Sequence, residues 1–338
     1  MNDASKGRRF GRPAVATIAA LGLAGMLAGG ALAQSPLPVE EGTFRMGTEP
    51  WIGYGPWWIA AEKELFAANG VDATVTNFDT DDEINAALVS GQIDGANIAT
   101  HTALRLASEG TPLTIVLLLD QSNAADAIIV SSAIGSVADL AGKQVAYEEG
   151  TTSDILLRYA LAQNGLTIDD IVKVPVPAGD AAIAVATGQV DAAVTYEPYI
   201  TTALGENADL RLLYTAGERP GLIGDVFTVR TDYLADHPGQ IQALLRAWGD
   251  AVGFYDMNQT EGQAIMETAV GAEVGSLTTA FAGVDLYDLE EAHALMTGGE
   301  YGGTIADVKE IALAAGIMAN DVDETALIDL SWIEAVAP

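Results

Sequence analysis

Two stretches decide the fold: Ala86-Ala87-Leu88-Val89-Ser90-Gly91-Gln92-Ile93-Asp94 and Ile183-Ala184-Val185-Ala186-Thr187-Gly188-Gln189-Val190-Asp191 stand 97 residues apart and read alike. Each is the end of an apolar helix, a glycine stop, and a short turn into a buried strand, expected at Gly95–Ala99 and Ala192–Tyr196. Upstream the correspondence continues. Thr43–Thr48 reads as a strand, 49–56 as a loop, and Trp57–Ala68 as a helix stopped at Asn69-Gly70. Likewise Gln144–Tyr147 reads as a strand, 148–152 as a loop, and Ser153–Gln163 as a helix stopped at Asn164-Gly165. Strand, loop, helix, strand, helix, strand is the order of a parallel sheet with helices on both faces, and two copies predict two similar α/β lobes.

After Pro220 the chain changes character. A strand at Val226–Arg230 leads into mostly helical sequence, with one apolar face kept through His237–Asn258 by Ile241, Leu244, Leu245, Trp248, Val252 and Tyr255. Further helices are expected near 260–270, 288–297, 304–315 and 321–334, packed back over the first lobe. The chain would then cross between lobes near 121–127 and 221–227, which are candidate hinges. The expected division is 34–122 with 225–338 for lobe 1, and 123–224 for lobe 2.

The N-terminus carries Lys6, Arg8, Arg9 and Arg12, then an apolar run from Ala14 to Ala33 ending Ala31-Leu32-Ala33-Gln34. This is the layout of a secretory signal, residues 1–33, cleaved near Ala33-Gln34. The competing reading is a retained membrane anchor, since the run is about long enough to span a bilayer. Arg8-Arg9-Phe10 is a partial twin-arginine pattern and leaves the export route open. The chain has no cysteine, so disulfides, thiolate metal sites and a lipid-modified N-terminal cysteine are all excluded. An exported, unlipidated protein that stays with its cell needs a second membrane to retain it, which points to a periplasm.

With 47 acidic against 15 basic side chains the formal charge is −32, a surface hostile to nucleic acid. The acids are dispersed, as in a solvated, self-repelling shell. The alternative is attraction of a cationic ligand.

In open parallel sheets ligands sit beyond the C-terminal ends of strands, against helix N-termini that offer free N–H groups. That rule picks out four loops. Glu49–Trp58 holds three of the five tryptophans among Gly and Pro, so Trp51 and Tyr54 are expected to face ligand, with one of Trp57 and Trp58 in the core. In Asn97-Ile98-Ala99-Thr100-His101 a buried strand ends in polar groups, and His101 either starts a helix and supports the site or touches the ligand. Glu148-Glu149-Gly150-Thr151-Thr152-Ser153-Asp154 has capping-box spacing between Thr151 and Asp154, and more hydroxyls than capping needs. In Thr195-Tyr196-Glu197-Pro198-Tyr199, Glu197 either clasps an N–H group or caps a helix begun by Pro198. Asp120, Asp126 and Asp225 lie at the lobe crossings, where they would close the hinge or contact ligand.

At these loops the sequence resembles the nitrate/sulfonate/taurine binding proteins of ABC transporters, a family that includes thiamine-pyrimidine precursor binders. The resemblance rests on Pro50-Trp51-Ile52-Gly53-Tyr54-Gly55-Pro56, Ser90-Gly91-Gln92-Ile93-Asp94 and Asp120-Gln121-Ser122-Asn123-Ala124-Ala125-Asp126. It continues through Glu148-Glu149-Gly150-Thr151, Ala178-Gly179-Asp180-Ala181-Ala182 and Gly188–Pro198. It implies a type II periplasmic binding fold, α/β with two lobes of mostly parallel sheet, two crossings, closure around a small-molecule solute, and docking of the closed form on an ABC permease. The pocket positions it carries over are Trp51, Tyr54, Thr100, Glu149, Thr151, Tyr196 and Glu197. The residues themselves add His101, Asp126, Thr152 and Asp225. Many members have a tryptophan where Tyr196 stands, and all four loops lack Arg and Lys, which counts against a bare inorganic anion.

Taurine or another alkanesulfonate is the first expectation for the solute, and a pyrimidine or other N-rich molecule the alternative. An enzyme is the rival of another class, but no nucleophile–base pair and no G-x-S-x-G motif is present. No catalytic residue, metal site or cofactor is expected. A monomer is expected, and a solute sensor is not separable from a transporter component at this level.

Overall fold

The computed structural model describes residues 37–337, so the expected signal at 1–33 lies outside the described residues. Eleven strands form two sheets. Strands β1 (Thr43–Thr48), β2 (Asp72–Asn77), β3 (Gly95–Ala99), β4 (Leu113–Ser122), β10 (Gly224–Arg230) and β11 (Val284–Leu286) make the first. Strands β5 (Asp126–Ser131), β6 (Gln144–Tyr147), β7 (Val172–Pro175), β8 (Ala192–Tyr196) and β9 (Leu210–Thr215) make the second. The spatial orders are β11-β4-β10-β3-β1-β2 and β7-β6-β8-β5-β9.

Reversing the second order lines it up on the first: β4-β10-β3-β1-β2 against β9-β5-β8-β6-β7. Four of six strands in one sheet and four of five in the other share a direction, and the antiparallel strand next to β3 or β8 is in each case the one that follows a crossing, β10 or β5. The repeat thus holds in three dimensions. Its terminal aspartates do the same work in both copies: Asp94 exchanges hydrogen bonds with the Arg45 backbone (2.9 and 2.8 Å), and Asp191 with the Gln144 backbone (2.9 and 3.0 Å). Each ties the Gly-Gln turn to the start of the central parallel strand.

The helices are α1 (Gly55–Glu62), α2 (Leu65–Ala68), α3 (Asp81–Ser90), α4 (Thr100–Ser108), α5 (Thr152–Gln163), α6 (Ala178–Ala186) and α7 (Tyr199–Glu206). Beyond the second crossing come α8 (Thr231–Asp236), α9 (Pro238–Met257), α10 (Gln259–Ala269), α11 (Leu289–Thr297), α12 (Glu300–Ala315) and α13 (Ser331–Glu334). Glycines 91 and 188 both take left-handed φ (75° and 70°) at the ends of α3 and α6, as their stop role demands. Both Trp57 and Trp58 are buried in the core, not one of them as expected; Trp57 packs on Trp248 of α9 (ring centroids 4.9 Å), on Phe227 of β10 and on Phe66.

Two further expectations change. The stretch 321–334 is a 3₁₀ turn at Glu324–Leu327 and a single turn, α13, because Asp323 and Asp329 cap backbone N–H groups two residues on and restart the chain each time. The helical tail also does more than cover the first sheet, since α12 packs on α4 and on α5, with Arg158 of α5 donating to the Ala315 carbonyl (2.9 Å).

The chain passes from one sheet to the other between Ser122 and Asp126, and returns between Thr215 and Gly224. The two passages are tied together: Ser122 N–H donates to the Ile223 carbonyl (3.1 Å), and Asn123 and Ala124 N–H both donate to the Gly283 carbonyl (2.8 and 3.1 Å).

Candidate functional site

Because β5 and β10 run against their neighbours, their first residues lie beside the last residues of β8 and β3. Asp126 pairs with Tyr196, and Asp225 with Ala99. The strand-end loops of both sheets and the starts of both crossing strands therefore converge on one place. A cavity of about 310 Å³, mouth included, lies there, lined by Glu49, Trp51, Tyr54, Asp81, Ala99, Asp126, Thr152, Tyr196, Ile223 and Asp225.

Six of the positions singled out from sequence line this cavity: Trp51, Tyr54, Asp126, Thr152, Tyr196 and Asp225. Trp51 precedes the 3₁₀ turn Ile52–Tyr54, which delivers both rings from the end of β1. Its indole N–H reaches both carboxyl oxygens of Asp120 (3.4 Å each), while Tyr54 donates its hydroxyl to Asp225 (3.0 Å). Across the cavity, the Tyr196 ring meets Trp51 edge to face. Thr152 opens α5 and lines the cavity together with Asp126.

Five other positions are placed elsewhere. Thr151 spends its hydroxyl on capping α5, donating to the Glu148 carbonyl (3.0 Å) and accepting from Ser153 N–H (3.2 Å). The Glu197 carboxylate accepts the backbone N–H and hydroxyl of Thr201 (3.0 Å each), the bond of a helix cap. Glu149 is exposed. Thr100 donates to the Gly224 carbonyl (2.8 Å), stands 3.3 Å from the Tyr301 hydroxyl, and lines a neighbouring cavity. His101 is buried on α4, and burial first, then Arg105, pushes its pKa down to about 3, with the Gly150 and Thr151 backbone of the other sheet's loop acting in the opposite sense. It is a neutral contact between the two halves.

Glu49 and Asp81 line the cavity without having been singled out. Glu49 sat unremarked among aromatic residues, and Asp81, in Thr80-Asp81-Asp82-Glu83, reads as an ordinary acidic helix start. Their presence makes the site acidic. Burial, the largest cause in each case, holds Glu49 well above the carboxylate range and raises Asp81 to about 8, Asp126 to about 7 and Asp225 to about 6. Neighbouring acids add to this: Glu148 acts on Asp81, and Asp81, Glu148 and Asp225 on Glu49. Glu49 is 8 % exposed, and its Oε1 is buried with no hydrogen-bond partner. No Lys, Arg or His is among the lining residues. Such an arrangement takes up a group that brings positive charge or N–H donors.

The comparisons with known proteins agree with this architecture. A binding protein of Brucella abortus (strain 2308) is 25 % identical over 274 residues, covering 78 % of this chain and 83 % of its own length. The taurine-binding periplasmic protein of Escherichia coli (strain K12) is 27 % identical over 203 residues, 59 % of this chain and 63 % of that protein. Among solved structures, the alkanesulfonate-binding protein SsuA of Xanthomonas axonopodis pv. citri, bound to MOPS, superposes with a TM-score of 0.74 at 21 % identity, over 86 % of this chain and 99 % of that one. The sequence profile of the NMT1-like family matches residues 38–270. With its paired sheets, its cavity at their facing strand ends and this match, the chain is a substrate-binding protein of the periplasmic binding fold and belongs to the NMT1-like family.

Proposed function

We propose that the protein is the periplasmic solute-binding component of an ABC importer, and that its solute is a small organic molecule whose bound end is cationic or rich in N–H donors. The observation that carries the solute class is the partnerless, buried Glu49 Oε1 in a cavity lined by four carboxyls and no basic side chain. A buried acceptor of this kind costs free energy until a donor arrives. Among the described residues no three such side chains stand as a metal-holding group, which favours an organic cation over a metal ion.

Taurine fits the first expectation because it is a zwitterion. Its ammonium would lie among Glu49, Asp126 and Asp225, and its sulfonate toward the N-terminus of α5 at Thr152. An alkanesulfonate without an amine would meet the carboxyls with nothing to offset them. A pyrimidine or other N-rich heterocycle is the second reading, favoured by the three aromatic rings of Trp51, Tyr54 and Tyr196 among ten lining residues.

Binding with closure is the whole activity in this reading. The lobes 34–122 with 225–338, and 123–224, would turn about the two crossings, and the closed, monomeric form would dock on the permease. Residues 1–33 would be removed on export.

Calorimetric titration of the purified protein with taurine, ethanesulfonate, 4-aminopyrimidine and agmatine tests the solute class. Heat with an amine-bearing member and none with ethanesulfonate is the expected pattern. Binding of ethanesulfonate alone would overturn it. Solute recovered unchanged after long incubation is expected of a binder, and turnover would make the protein an enzyme.

A further inference from the structure

Asp120 does not line the cavity between the sheets. It lines a second one behind it, of about 390 Å³, with Thr100, Gly224, Tyr287, Glu300 and Tyr301 among its walls. Asp225 faces the front cavity. The two aspartates are direct partners across the antiparallel β4–β10 pair, 0 % and 3 % exposed, so their carboxyls stand side by side in the interior. Two buried carboxyls that share one site do not both ionise readily, so one of them keeps a proton. The donors to the pair, the Trp51 indole N–H and the Tyr54 hydroxyl, are neutral.

We infer that Asp120 is a positioning residue that turns cation recognition at Asp225 into a proton exchange: the empty pair shares one proton, and a solute cation arriving at Asp225 expels it. This rests on the cationic-solute reading above. The balance is simple. The singly protonated pair carries one negative charge. The solute keeps its own proton and enters as a cation; the shared proton leaves to water, and two carboxylates remain against one cation. Asp120 itself stands in the rear cavity, whose wall includes the exposed Glu300.

The surroundings leave no other counter-charge. Facing the pair are Glu49 from the end of β1, Asp81 of α3, Asp126 of β5, and the phenols of Tyr54, Tyr196, Tyr287 and Tyr301, with Glu148 after β6 acting on Glu49 and Asp81. On α4, Arg105 acts on Asp81 and on neutral His101, and no cation is among the influences on Asp120 or Asp225. Burial raises Asp120 well above the carboxylate range and Asp225 to about 6, which puts the exchange within reach of neutral pH.

The test has two arms. The first needs no solute: carboxyl carbon NMR of ¹³C-aspartate protein across pH 4–9, with Asp120→Asn and Asp225→Asn for assignment. Expected at pH 7, beside the signals of Asp81 and Asp126, is one further protonated carboxyl that vanishes in both variants. Two fully ionised carboxylates in the wild type at pH 7 overturn the inference. The second arm is calorimetry at pH 6 with taurine and agmatine in buffers of different protonation enthalpy. The pair's share is expected to be about one proton released per solute, with affinity rising up to about tenfold per pH unit below the pair's titration. In Asp120→Asn the release is expected to fall by about one proton relative to the wild type, and the pH dependence with it, whatever Glu49, Asp81 and Asp126 contribute to both; an unchanged release overturns the role of Asp120. If neither cation binds while the NMR arm succeeds, the cationic-solute reading fails and the exchange with it, and only the shared proton stands.

Discussion

Trp51 and Tyr196 meet edge to face, ring centroids 5.9 Å apart and planes at 88°, one ring delivered by the first sheet and the other by the second. The contact closes the front cavity from both sides, so it forms only when the two halves approach. Such pairs contribute about 0.5–1.5 kcal/mol beyond area burial. Tyr196→Ala is therefore expected to weaken solute binding by about 2- to 12-fold and to enlarge the radius of gyration of the solute-bound form in small-angle scattering. An unchanged affinity and radius would show that the pair is not part of closure.

Glu148 makes a second bridge. Its carboxylate accepts the N–H of Ala178 at the start of α6 (3.0 Å), and the backbone amide of Asp81 at the start of α3 in the other half also acts on it. These are equivalent positions of the repeat, so one carboxylate draws together two matching helix N-termini. Glu148→Ala should speed solute release, with the loss of a charged hydrogen bond costing about 1.5–3 kcal/mol. Stopped-flow dissociation measures it, and an unaltered rate would assign Glu148 to α6 alone.

The buried acids set a pH signature for stability. Asp81 and Asp126 have folded pKa values of about 8 and about 7, above the usual carboxylate range because burial disfavours the charge. Their contribution is thus fully present near pH 4 and is lost as pH rises through about 7 to 8. The solute-free protein should melt at lower temperature at pH 8.5 than at pH 6, and Asp126→Asn should recover about 0.5–2 kcal/mol of that loss at the cost of affinity. Calorimetric melts at the two pH values decide it; equal melting temperatures would mean these acids are ionised at both.

Gly53 is a matter of space. A Cβ there would fall on the Trp51 indole nitrogen and the Asp120 carboxyl, inside the bond that holds the pair in place. Gly53→Ala should destabilise the fold by about 1–3 kcal/mol and displace the Trp51 ring. Thermal melting and the shift of tryptophan emission report the two effects, and a wild-type melt would show that the turn yields.

The repeat made much of the fold legible. Gly-Gln turns, Asn-Gly stops and short apolar runs are local signals, and strands β1, β3, β6 and β8 lie where they indicate. The site was legible as far as a loop's position implies its direction. Trp51, Tyr54, Asp126, Thr152, Tyr196 and Asp225 share the cavity because they stand at strand ends or at the first residues of crossing strands. Thr151 and Glu197 stand there equally, yet their side chains turn back to cap helices. Which way a hydroxyl or carboxylate turns depends on the nearest unsatisfied N–H, a distance that spacing does not contain.

What the sequence determined by itself was the kind of protein: two copies of one α/β unit, a helical tail, an acidic composition and aromatic residues in a strand-end loop, all fixed by local periodicity and residue type. What only the tertiary structure decided was the partnership of Asp120 with Asp225 and the entry of Glu49 and Asp81 into the same cavity. Those groups lie on β4, β10, the end of β1 and the start of α3, and they meet because an antiparallel strand inserts beside a parallel one. Their raised affinity for protons is a property of that shared burial, which no segment has alone.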